Sequence, residues 1–173
     1  MEVFNMNNAK TIIIHHSNVD KPLSQFPAIE RYHKSLGFPL SSMGFFTGYH
    51  RLIDKEGRII TARADKDTGA HSIGWNNKSI GICLMGDFNR FVPTKPQLNS
   101  LREIIKGYNL PYLFHHEAQV NRTCAGFYFT RDLIDKKPQT EPLVEVDKKR
   151  AIQRQIWSIQ AILNRIRVMI TKL

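Results

Sequence analysis

Two apolar runs in this chain end in histidine, and a cysteine follows one of them. Leu113-Phe114-His115-His116-Glu117 delivers an imidazole to a fixed place, and Cys124 arrives one loop later. Far upstream, Thr11-Ile12-Ile13-Ile14-His15-His16-Ser17 has the β-branched composition of a buried strand and again ends in histidine. Two imidazoles and one thiolate are a donor set for a catalytic zinc, whose fourth position stays open for water. Structural zinc sites are instead closed by four protein ligands. Taken singly, each residue also has an ordinary explanation. A strand-end histidine is commonly a satisfied polar group, and an isolated cysteine packs as a small hydrophobe.

The elements that must position these residues can be read in order. Ile12–His15 reads as a central strand, Pro22 to Pro27 as a loop, and Ala28–Leu36 as a short helix stopped by Gly37. Tyr49–Ile53 and Arg58–Ala62 flank Asp54-Lys55-Glu56-Gly57 as a hairpin. Gly69 to Lys78, rich in glycine and asparagine, reads as an ordered functional loop, and Ser79–Met85 as a second buried strand. Thr94 is placed to cap a helix with Pro96 in its first turn and an apolar stripe of Leu98, Leu101, Ile104 and Ile105. Pro111–His115 is the strand that brings the middle histidine, and Phe127–Lys136 reads as a closing helix. Strands alternating with helices, plus one hairpin, predict an α/β fold: a single mixed β-sheet flanked by helices, with an appended C-terminal α-helix.

Length and composition bound the function classes. The 173 residues suffice for one core and an appendage, and the apolar fraction of 42% is ordinary for a soluble globular protein. Two cysteines without paired spacing argue against a disulfide scaffold and fit a reducing compartment. Met1–Met6 has neither a basic n-region nor an apolar h-region, and no apolar run approaches the length of a membrane span, so a cytoplasmic, soluble product is expected. Net charge is +10, with seven Lys/Arg against one acid from Asp147 onward. That balance suits polyanions such as nucleic acid, anionic lipid or the anionic polymers of a bacterial envelope. Nucleic acid ranks last among these, because no nucleic-acid motif accompanies the charge.

In order along the chain stand Ile14-His15-x-Ser17, Gly48-Tyr49-His50, Gly69-x-His71, Gly74-Trp75-Asn76, Ser79-Ile80-Gly81-Ile82 and His115-x-Glu117 with Cys124 beyond. This series resembles the type 2 family of zinc-dependent N-acetylmuramoyl-L-alanine amidases, the fold of small bacteriophage amidase lysozymes and peptidoglycan recognition proteins. The resemblance covers roughly residues 10–136. It implies a catalytic domain over residues 1–136, zinc bound by His15, His115 and Cys124, and a muramyl-peptide substrate. It also implies hydrolysis of the amide between N-acetylmuramic acid and L-alanine, in the manner of a phage endolysin that lyses its host. A cytoplasmic amidase recycling wall fragments is the alternative within that chemistry.

Residue by residue, Tyr49 matches the tyrosine that works near the zinc-bound water, and His71, Trp75 and Asn76 match the stem-peptide groove. Trp75 reads equally well as a loop aromatic capping the core. The family pattern His-x-Asp/Glu selects His115, as does strand alternation, yet the interval to Cys124 is one residue longer than the commonest family spacing, which His116 would satisfy. Two residues before Cys124, where family enzymes carry Lys or Thr, stands Arg122, with Thr123 next; either could stabilise the oxyanion, although arginine's planar fork is not an ammonium. Other members carry a glutamate in the strand that here holds Cys83, so Cys83 is assigned to packing. Non-cutting recognition members typically lack the cysteine or the tyrosine; this chain has both.

Residues 137–146 read as a linker and 147–173 as a basic amphipathic helix. Ile152, Ile156, Ile159, Leu163, Ile166, Ile170 and Leu173 keep a 3.5-residue repeat, which predicts a coiled coil and a homo-oligomer beyond a dimer. Lying on anionic membrane, or docking on the catalytic domain, are the rival placements. In sedimentation, the full chain is expected to run as an oligomer and a version ending near Pro142 as a monomer. If both run as monomers, the coiled coil is excluded.

Overall fold

The computed structural model describes residues 9–19, 25–119 and 123–135. The linker, the last helix and its coiled coil, and Arg122, lie outside these residues. Strands β1 (Thr11–His16), β2 (Arg51–Ile53), β3 (Ile59–Thr61), β4 (Ser79–Leu84) and β5 (Tyr112–Phe114) form one sheet in the order β3-β2-β4-β1-β5. β2, β4, β1 and β5 run parallel, and β3 closes one edge antiparallel to β2. Helices α1 (Phe26–Ser35), α2 (Lys95–Tyr108), α3 (His115–Ala118) and α4 (Arg131–Asp135) complete the described residues. The chain thus forms the single mixed sheet with helices that its pattern predicts.

β1 is buried at every position, as a strand inside a covered parallel sheet must be. Its residues alternate between two cores. Ile12 and Ile14 join Ile80, Ile82, Phe114 and α2's Leu101 on one face, while Cys83, Leu52 and Met85 on the other meet Phe26 and Ile29 of α1. Each fully buried isoleucine of β1 contributes about 1.5–3 kcal/mol relative to exposure.

Several boundaries differ from the sequence reading, each for a local reason. α1 begins at Phe26, because Pro27 fits a first turn where its missing N–H costs nothing. Tyr49 precedes β2 instead of lying in it. β5 stops at Phe114, so His115 opens α3 and is not a strand residue; the Phe114 N–H donates to the Glu117 carboxylate at 2.7 Å, which holds the turn. The closing helix shrinks to α4, since Tyr128 is tied through its N–H to the Phe88 carbonyl at 2.7 Å.

α2 is fastened to the carboxyl ends of the strands by one side chain that the sequence reading passed over. Thr94 caps the helix as expected, in a capping box with Gln97. Gln97 is 1% exposed, and its amide donates to the carbonyls of Ile53 (3.2 Å) and Met85 (2.9 Å) while its oxygen accepts the Thr94 N–H at 3.1 Å. Gln97→Ala strands these groups and is expected to lower stability by about 2–4 kcal/mol in denaturant titration, with the fold retained.

Candidate metal centre

The sheet register builds the site. His15 on β1 lies level with Cys83 on β4, so both side chains share the face that α1 covers. β5 pairs with the other edge of β1, Phe114 level with Ile14, and the chain turns at once into α3. That turn sets the His115 ring 4.4 Å from the His15 ring, centroid to centroid. The loop behind α3 returns Cys124, whose Sγ is 3.6 Å from His15 Nδ1. One ligand atom from each of His15, His115 and Cys124 lies within 4.8 Å of the others. Both ring nitrogens of His115 are closed to solvent. Two neutral-type nitrogens and a sulfur converging on one point suit a borderline-soft divalent metal.

The neighbouring histidines are committed elsewhere. His16 points to the opposite face, where its Nδ1 accepts the Phe88 N–H at 3.1 Å. Its backbone N–H instead reaches Cys124 Sγ at 3.4 Å. His116 is exposed, stacks on Phe114, and turns Nδ1 to the Cys124 carbonyl at 3.0 Å. Of the two adjacent histidines, His115 is the one brought to His15 and Cys124.

His71 lies behind His15, with its Nδ1 3.1 Å from His15 Nε2. Space for it comes from Gly81 on β4, where a Cβ would stand 2.5 Å from the His71 ring. Burial above all, then the positive charge His71 and His115 would carry, holds His15 well below the usual histidine range. Burial, followed by His50 and His115, does the same to His71. Both rings are therefore neutral at pH 7, the form in which an imidazole such as that of His15 can offer a lone pair to a metal. His50 braces β4: Gly81 N–H donates to its Nδ1 at 3.0 Å, which leaves the proton on Nε2 to donate to the Asp67 carbonyl at 3.0 Å.

The Tyr49 ring lies 5.0 Å from that of His15. Burial, then the Cys83 and Cys124 thiols, pushes its hydroxyl well above the usual phenol range, so it keeps its proton. Cys83 is buried in the core cluster beside Leu52 and Met85. Asn76 Oδ1 accepts the N–H groups of His71 and Ser72, both at 2.8 Å, and so shapes the loop that carries His71. Trp75 is half-buried; its Nε1 donates to the Ala118 carbonyl at 3.2 Å, tying the same loop to α3. Thr123 is exposed beside Cys124. Sequence reading passed over Glu30 and His33 of α1, which hold the segment before Tyr49. Their spacing puts both on one helix face, the one signal the sequence offered.

A family model described as N-acetylmuramoyl-L-alanine amidase matches residues 5–127. The endolysin of Escherichia phage T7 is 27% identical over 139 residues, 74% of this chain and 88% of its own. Peptidoglycan-recognition protein SC2 of Drosophila melanogaster is 26% identical over 125 residues, 66% of each chain. The solved structure of N-acetylmuramoyl-L-alanine amidase LysC from Clostridium intestinale superposes with a TM-score of 0.62 at 29% identity, over 76% of this chain and 85% of that one. This chain spans about a third to two thirds of the length of the insect recognition proteins it matches. Because the matched span runs from before β1 past Cys124 and so contains the whole cluster, the chain belongs to the N-acetylmuramoyl-L-alanine amidase family.

Proposed function

We propose that this chain hydrolyses the amide bond joining N-acetylmuramic acid to the L-alanine of the peptidoglycan stem, with zinc held by His15, His115 and Cys124. The observation that carries this reading is the meeting of two imidazoles and a thiol within 4.8 Å in a chain of the amidase family. When bound, zinc supplies Lewis acidity, acidifying water and polarising the scissile carbonyl.

The chain's own residues do the positioning and the proton handling. His15 Nε2 donates to His71 Nδ1, which fixes the tautomer and leaves the Nδ1 lone pair aimed toward Cys124. The His16 backbone N–H favours the thiolate form of Cys124. The Tyr49 hydroxyl, still protonated, donates to the carbonyl oxygen as it gains charge. Arg122 or Thr123 is the second donor in this scheme. Trp75 and Asn76 belong to the loop wall along which the stem peptide lies. A role as a phage endolysin fits the relatives from phages T7 and T3.

Purified protein incubated with peptidoglycan is expected to generate new L-alanine amino termini, and a chelator to stop it. Co-sedimentation with peptidoglycan and no new termini would instead mark a recognition module. Cys124→Ser and His115→Ala are each expected to remove most zinc at neutral pH and abolish hydrolysis, whereas His116→Ala retains the metal. One tightly held zinc per chain in Cys124→Ser would overturn the ligand assignment. Tyr49→Phe is expected to keep zinc and fold while turnover falls roughly 10²–10⁴-fold, the range for a positioned proton-transfer group. Near-normal turnover would move that step to Arg122 or Thr123, since both ring nitrogens of His50 are engaged by backbone groups.

A further inference from the structure

Tyr49 belongs to no strand, yet the backbone on both sides of it is gripped. α1 supplies two of the grips. The Glu30 carboxylate accepts the Phe46 N–H at 2.5 Å through one oxygen. Its other oxygen accepts the Thr47 N–H at 2.8 Å and the Thr47 hydroxyl at 2.6 Å. One turn on, His33 Nδ1 accepts the Gly48 N–H at 3.1 Å. Three consecutive amides thus end on two side chains of one helix.

The carbonyls of the same segment are held from the other side. Arg63, 2% exposed, donates from Nε to the Thr47 carbonyl at 2.7 Å, and through its other nitrogens to the carbonyls of Thr68 and Pro39. The Gly48 carbonyl accepts the Ala70 N–H at 3.0 Å. No other residue fits there, since a Cβ on Gly48 would stand 2.1 Å from the Ala70 oxygen. Beyond Tyr49, the His50 N–H donates to the Gly81 carbonyl at 2.8 Å. The His33 ring itself packs 5.4 Å from the Tyr49 ring.

A loop this heavily braced does more than connect α1 to β2. An aromatic hydroxyl that must meet a reacting atom tolerates about 0.5 Å of error, and loops hold such geometry less well than helices or strands. Charge-assisted bonds that backbone N–H groups donate to an ionised carboxylate are shorter and stronger than neutral ones, so they suit the task. Burial pushes His33 down to about 4, which keeps its Nδ1 an acceptor at neutral pH.

We infer that Glu30, with His33 beside it, is a positioning residue for Tyr49, transmitting the rigidity of α1 to the hydroxyl through the amides of residues 46–48. The inference rests on the role given to Tyr49 above. The test is a double-mutant cycle on the zinc-loaded full-length chain, with kcat and KM on a soluble muramoyl peptide, zinc content, thermal midpoint and amide exchange all measured. Glu30→Ala is expected to lower kcat roughly 10- to 100-fold, as a misplacement near 1 Å does, with KM and zinc unchanged and exchange at Phe46, Thr47 and Gly48 accelerated. Glu30→Gln, which keeps one acceptor oxygen, recovers part of the loss and serves if the alanine variant fails to fold. In the Tyr49→Phe background the same changes at Glu30 cost less than about twofold, because the group they position is gone.

Equal losses from Glu30 substitution in both backgrounds would mean a general structural role and overturn the inference. So would a normal kcat in Glu30→Ala and Glu30→Gln while Tyr49→Phe is impaired, with the Tyr49 reading left standing. Normal turnover in Tyr49→Phe alone removes both.

Discussion

The parallel pairing of β1 between β4 and β5 is the constraint on which the rest depends. Ile12, Ile13 and Ile14 are fully buried, so the strand has neither register nor tilt to spare. Its pairing sets His15 level with Cys83 on one side and brings the end of β5 level with Ile14 on the other. A slip of one residue would turn His16 to the α1 face and send His15 into the core beside Phe88. The cores on the two faces therefore specify the meeting of His15, His115 and Cys124 as firmly as they specify the sheet.

Burial then sets the chemistry. An imidazole cation in an apolar site is disfavoured by desolvation; the charge that His71 and His115 would carry lowers His15 further, and that of His50 and His115 lowers His71. The outcome is a group of neutral rings whose lone pairs are assigned by hydrogen bonds: His15 Nε2 against His71 Nδ1, His50 Nδ1 under the Gly81 N–H. Tyr49 stays protonated in the same surroundings for the converse reason, since burial disfavours the phenolate. One environment thus keeps imidazoles neutral and a phenol protonated side by side.

The same face explains why a loop residue can sit where Tyr49 does. α1 packs on Leu52, Cys83 and Met85 through Phe26 and Ile29, and the polar edge of that helix carries Glu30 and His33 over the segment before Tyr49. Arg63 enters from the far side of the hairpin and closes on the Thr47 carbonyl. Hydrophobic packing fixes the helix, and charge-assisted bonds carry its rigidity onward.

Much of this was legible in the sequence. The β-branched run before His15, the apolar stretch before His115 and the alternation of strand and helix sufficed for the sheet, because burial in a covered parallel sheet writes itself as continuous apolar runs. The motif series from His15 to Cys124 pointed to the family, and the pattern His-x-Glu favoured His115. What the sequence left open was decided by contacts between distant segments. His115 stands apart from His116 because Glu117 caps the Phe114 amide and starts a helix, not because a strand alternates. The contact of His71 with His15 has no sign in the sequence, because it depends on Gly81, ten positions on in β4, making room for the ring. Glu30 and His33 carry no motif at all, since their partners are backbone amides, and a backbone amide has no letter in the sequence.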